Sequence, residues 1–150
     1  MINININTFT KKQKEAGLLM SSPAKYCLLY GGSRSGKSFI IIFRMIQRAL
    51  KEPGSRHLIV RFAFNHAKQS LWHDTIPKCL KLCFPHVRPT LNKSDWFLEF
   101  ENGSQIWLGG LDDKERTEKV LGNSSIRQNR LKEGLFLASS GESIPMPIPV

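Results

Sequence analysis

Apolar and polar positions alternate in blocks along this chain, and the blocks change period several times. Thr8 or Thr10 is placed to cap a short helix over Lys11–Met20, with Glu15 in its early turns and Pro23 beyond its end. Tyr26–Tyr30 is a compact apolar run of strand length, stopped by Gly31 and Gly32. Phe39–Leu50 is apolar nearly all round, which predicts a buried helix, and Pro53-Gly54 ends it. His57–Phe62 reads as the next strand. Ala67–Leu71 and Lys78–Phe84 read as helices interrupted at Pro77. Trp96–Phe100 and Gln105–Leu108 flank Glu101-Asn102-Gly103-Ser104, a hairpin signal. Asp112–Leu121 then predicts a short charged helix, opened by acids and closed by Gly122. Helices and strands in this order predict an α/β domain with a parallel core and an inserted β-hairpin.

After Gly122 the texture changes. Small and polar residues accumulate, and Pro145, Pro147 and Pro149 alternate at the end, where neither a helix nor a ladder can form. The expected division is a folded unit over 1–122 and an atypical Ser/Pro-rich, poorly ordered tail over 123–150. The 150 residues suit one domain able to bury roughly 70% of its unfolded surface, and 41% hydrophobic content excludes wholesale disorder. No apolar stretch approaches the ~20 residues of a spanning helix, and the N-terminus lacks the basic and apolar regions of a secretory leader. Three cysteines without framework spacing suit a reduced, cytosolic setting. The net charge of +10 calls for an anionic partner, nucleotide or nucleic acid.

Between the first predicted strand and the buried helix stands Gly31-Gly32-Ser33-Arg34-Ser35-Gly36-Lys37-Ser38, a full match to the phosphate-loop pattern G-x-x-x-x-G-K-[ST]. Glycines let successive backbone N–H groups turn into one concavity, and the following helix adds its positive end. Lys37 is placed to reach β- and γ-phosphates, and the Ser38 hydroxyl to ligate Mg²⁺. Arg34 is a second cation for the γ-phosphate or for charge developing in a transition state. The fold expected is thus a P-loop NTPase-type parallel sheet flanked by helices.

Beyond the loop, the segment Asn7, Thr8, Phe9, Thr10, Gln13, Glu15 and Ala16 resembles the opening of phage terminase large subunits. So do Leu58–Arg61, the Leu71–Thr75 region, and the stretch from Phe100-Glu101-Asn102-Gly103-Ser104 through Gly109-Gly110-Leu111-Asp112-Asp113. The resemblance covers about four-fifths of the chain and ends near Leu121-Gly122. It implies ATP with Mg²⁺ as cofactors, and double-stranded DNA, the small terminase subunit and the portal as partners. It also implies a place in the bacterial cytoplasm and no membrane association. It casts Gln13 as the reader of adenine, a role the donor and acceptor of a side-chain amide suit. Arg61 matches an arginine common in the family, suited to phosphate or DNA, although a solvated strand end accounts for it nearly as well. Lys114, Arg116 and Lys119 are interleaved with Asp112, Asp113, Glu115 and Glu118, which favours a solvated helix face.

Two parts of the family's machinery are missing from the sequence. An apolar strand ending in acids should follow Gly122, yet the candidate Leu135–Ala138 ends in Ser139-Ser140, with Glu133 before it and Glu142 beyond a turn. The chain is also too short for the nuclease domain. These absences lead to the expectation of an incomplete domain, interrupted or frame-shifted near Asn123, that binds ATP but hydrolyses it poorly. A helicase- or kinase-like NTPase and a non-catalytic DNA- or partner-binding remnant are the alternatives. Cys79, Cys83 and His86 have spacing that could suggest zinc, but thiols on a buried helix face explain them better. Trp72, Trp96 and Trp107 read as core aromatics in preference to a base-stacking platform.

Overall fold

The computed structural model describes residues 9–24, 27–32, 35–112, 115 and 133–137. Helix α1 spans Lys11–Ser21 and opens with a reciprocal capping box. The Thr10 hydroxyl accepts from the Gln13 backbone N–H, and the Gln13 side chain accepts from the Thr10 N–H. Helix α2 spans Lys37–Lys51 and buries Ile40, Ile41, Ile42, Phe43, Met45, Ile46 and Ala49. Its stripe packs on one face of a five-stranded sheet ordered β2-β3-β4-β1-β5.

The strands are β1 (Arg56–Arg61), β2 (Thr90–Asn92), β3 (Phe97–Glu99), β4 (Gln105–Gly110) and β5 (Glu133–Leu137). β1 lies between β4 and β5, parallel to both, and β2-β3-β4 is an antiparallel meander. The hairpin expected around Asn102-Gly103 is β3–β4. Alternation sorts the strands: Ile59, Leu98, Ile106 and Leu108 join the helices in the main core, and Leu58, Val60 and Trp107 cluster on the opposite face. Phe43 lies between Phe9 (4.7 Å between ring centres) and Phe84 (5.4 Å), so the aromatics tie α1, α2 and the end of the last helix together.

Three readings are revised by tertiary context. First, Cys27–Tyr30, the described part of the Tyr26–Tyr30 run, does not join the sheet. It has no ladder partner among the described residues, Leu28 is 70% exposed and Tyr30 90%, and Leu29 alone of the four packs on the core. An apolar run favours extended backbone, but a strand exists only where a neighbour accepts its hydrogen bonds. Second, the helical pieces expected on either side of Pro77 are one continuous run: α3 (Phe64–Ala67), a π-helical segment (Lys68–Thr75) and α4 (Ile76–Cys83). Pro77 sits in the first turn of α4, where its missing N–H is least costly. The wider turn before it is closed by the Ile76 N–H bonding Leu71 and the Thr75 hydroxyl bonding the Ser70 carbonyl at 2.8 Å. Third, part of the segment set apart after Gly122 contributes β5, with Leu137 opposite Arg61. Of the charged helix expected over Asp112–Leu121, all but Asp112 and Glu115 lie outside the described residues.

The buried thiols Cys79 and Cys83 face the core from α4, as the apolar-face reading expects. Burial, together with each other's proximity in the case of Cys79, pushes the two thiols up from their ordinary range.

His57, the second residue of β1, is 2% exposed and bonded to the Ser55 hydroxyl at 3.0 Å. Burial and then the Arg48 guanidinium push its pKa down to about 4. The folded state therefore keeps it neutral where the unfolded chain takes up a proton. Stability is complete above pH 7 and falls as pH drops from 6.5 toward 4, by up to about 3 kcal/mol at pH 4. Urea unfolding midpoints of the wild type and His57→Leu across that range check this. The variant should show a shallower acid slope; equal slopes would refute the assignment.

Candidate functional site

Helix direction places the phosphate loop. Asn102, in the β3–β4 turn, donates through Nδ2 to the Ala49 and Leu50 carbonyls at 2.8 and 3.2 Å, clipping the C-terminal end of α2 to the start of β4. A helix of 15 residues spans about 22 Å and a six-residue strand about 20 Å. The N-terminus of α2 therefore points toward the edge where the parallel strands β1 and β4 end. Ligand crevices of open α/β sheets form at that edge.

At the head of α2, Gly36 occupies the left-handed region (φ 80°), which hands the loop into the helix without a side-chain cap. A Cβ there would also overlap the Gln13 amide nitrogen. Lys37 Nζ donates to the Gly31 and Gly32 carbonyls at 2.8 and 2.7 Å and to the Ser35 hydroxyl at 2.8 Å. Its three donors are thereby used, and the ammonium is held inside the loop instead of ranging through solvent. Ser38 follows in the first turn, half-buried. No side chain covers the space beside Gly32, where a Cβ would meet nothing within 4 Å. Ser33 and Arg34 lie outside the described residues.

Gln13 is brought to this loop from α1. Its Nε2 donates to the Gly36 carbonyl at 3.3 Å while its Oε1 serves the capping box. An amide offers two N–H donors and two acceptor lone pairs, so one of each is left for a ligand. Arg61 ends β1 on the same edge but turns to the π-helical segment, bonding the Ser70 hydroxyl and the His66 carbonyl. Asp112, beyond β4, accepts from the Phe64 backbone N–H at 2.9 Å and so opens α3. Lys114, Arg116 and Lys119 lie outside the described residues.

Chemically, the arrangement offers an anion a helix N-terminus, a pre-placed ammonium, a hydroxyl and glycine backbone open to close approach. Sequence reasoning pointed to the loop, Lys37, Ser38 and Gln13, which the structure brings together at the head of α2. It missed the Asn102 clip, the Asp112 cap and the Arg61–Ser70 link, because each joins residues distant in sequence or depends on a π turn. The strain at Trp96 also had no sequence signal. This bulky residue has φ 59° as the last residue of the β2–β3 turn, and is held by Phe64, Trp72 and the Lys68 ammonium 4.5 Å above its ring.

Fold and site together define an α/β protein of the phosphate-loop class. The sequence profile described as phage terminase large subunit matches residues 23–124, and the chain belongs to that family. No curated protein matches it. Among solved structures, the large terminase of a thermophilic bacteriophage superposes with a TM-score of 0.64 at 14% identity, over 87% of this chain and 38% of that one. The same terminase in complex with ADP gives 0.61 at 12% identity, again over 87% and 38%. At such identities the likeness is one of fold. The chain spans well under half the length of these terminases. Among the described residues no helix is long and apolar enough to cross a membrane.

Proposed function

We propose that this chain is the ATP-binding N-terminal portion of a terminase large subunit. It would hold ATP–Mg²⁺ as part of the motor that packages double-stranded DNA, alongside the small terminase subunit and the portal. The observation that carries this reading is the Lys37-centred loop at the head of α2 with Gln13 docked against it. The thermophilic phage terminase of the same fold was solved with ADP, which agrees with it.

The residues fit the ligand. The left-handed Gly36 and the open backbone at Gly32 form a cradle that side chains would fill, and Lys37 and Ser38 supply a cation and a hydroxyl at one helix end. The loop Gly31, Gly32, Ser33, Arg34, Ser35 and Gly36 would hold the phosphates, Lys37 would neutralise them, Ser38 would hold Mg²⁺ and Gln13 would bind the base. The bound ATP–Mg²⁺ supplies the transferable phosphoryl group. Lys37 would enter that role by exchanging loop acceptors for phosphate oxygens without leaving the loop. Arg34 adds a second positive charge.

Hydrolysis is a different matter. β5 runs parallel beside β1, and in the sequence Leu137 is followed by Ala138, Ser139 and Ser140. None of these three side chains can take a proton from water at neutral pH, so hydrolysis would need a base from elsewhere. The chain should bind ATP–Mg²⁺ saturably by calorimetry while phosphate release stays near background. Absence of binding would overturn the reading and favour a remnant; brisk turnover would overturn the claim of a deficient centre.

A further inference from the structure

We propose that the exposed face of α4, with the segment that follows it into β2, is a track for the phosphate backbone of a nucleic-acid duplex. The inference concerns a surface separate from the loop, and the choice of duplex rests on the packaging reading above. Between Asp74 and Asp95 the sequence has no carboxylate, yet it carries Lys78, Lys81, His86, Arg88 and Lys93, lying along the surface. α4 buries Ile76, Cys79 and Cys83, which leaves Lys78 and Lys81 one turn apart on the outward side. The chain then passes Arg88 to edge strand β2 and turns back through Lys93.

These cations are not spent on the fold. Among the described residues none of Lys78, Lys81, Arg88 and Lys93 is paired with a carboxylate, whereas Lys12 on α1 pairs with Glu15 at 3.1 Å. Asp74, a turn before Lys78, forms no ion pair with it. Glu99, opposite Thr90 in the ladder, accepts from Gln105 and shares its sheet face with Phe97; Leu98, between them, points to the helix side. The strip thus presents uncompensated positive charge along one border of the molecule.

Its composition selects the partner. Protein interfaces are depleted in lysine and built on buried aromatic anchors. Here the apolar side chains are Leu82 and Leu91, 43% and 49% exposed, standing singly among cations. Spaced Lys and Arg suit sequence-independent contact with phosphates.

The test uses the full chain and a fluorescein-labelled random duplex of about 30 base pairs, followed by anisotropy at several salt concentrations. The triple variant Lys78→Glu, Lys81→Glu, Arg88→Glu should bind at least tenfold more weakly than wild type. Its log–log salt slope should be smaller by about 2 to 3, since each lost phosphate contact removes about 0.9. A second triple, Lys11→Glu, Lys14→Glu, Lys51→Glu, changes net charge equally and should weaken binding much less. Circular dichroism melts confirm that both variants fold. Equal weakening by the two triples, an unchanged slope, or full competition by polyglutamate would overturn the proposal. ATP binding is measured on the same samples. If ATP binding is absent while the duplex results hold, the nucleotide reading fails and the track stands.

Discussion

Lys37→Ala should lower the affinity for ATP–Mg²⁺ at least a hundredfold, equivalent to about 2.7 kcal/mol, while the melting temperature should move little. The size follows from where the charge sits. Lys37 is fixed by Gly31, Gly32 and Ser35 before any ligand arrives, so its attraction for phosphate is not reduced by a search for position. Removing it leaves the loop amides and the α2 N-terminus, which favour an anion by about 0.3–1 kcal/mol at an exposed end. Stability changes little because the three acceptors are solvent-accessible and return to water. Lys37→Arg should not rescue binding, since a wider planar guanidinium presents its donors in a fixed fork where the loop encloses a compact ammonium. Calorimetric titration of the three proteins decides the matter, and an alanine variant within threefold of wild type would refute the role.

The second large effect is steric. Gly110 closes β4, and an added Cβ would lie 2.5 Å from Phe64 Cβ and 2.6 Å from its Cα and N. Two of those atoms are backbone, and the Phe64 N–H is tied to Asp112. Neither element can yield cheaply, so Gly110→Ala should cost about 3 kcal/mol or more, the upper end for overpacking. Gly109 is the internal control. Its Cβ would meet the Leu58 and Val60 side chains at 3.6 Å, ordinary contact, and the cost there should stay near ~1 kcal/mol. Urea unfolding of both variants separates them; a difference below about 1 kcal/mol would show that the β4–α3 junction is softer than the structure describes. Gly110→Ala should also weaken ATP binding, because the strand ends and the loop share one edge of the sheet.

How much of this was readable beforehand depends on the range over which each feature is decided. α1, its Thr10 cap, α2 with its buried apolar stripe, β1 and the hairpin at Asn102-Gly103 follow from periods and caps a few residues long. So does the phosphate loop, whose chemistry is contained in eight consecutive residues from Gly31 to Ser38. The Tyr26–Tyr30 run obeyed the same local rules, and its described residues Cys27–Tyr30 still have no place in the sheet, because no described strand lies beside them. The break expected at Pro77 became a continuous helix because a π turn and a first-turn position absorb the proline.

Local order was therefore written in the amino-acid sequence: which segments are helical, where the phosphate-loop pattern lies, and that Lys37 and Ser38 stand at the head of the helix that follows it. Only the tertiary structure decided which strands neighbour one another, that Asn102 sets the direction of α2, that Gln13 meets Gly36, and that Arg61 binds Ser70. The physical reason is that hydrogen-bond ladders and side-chain clips are pairings between distant positions. A chain's local preferences allow many such pairings, and the choice among them is made when the whole core packs.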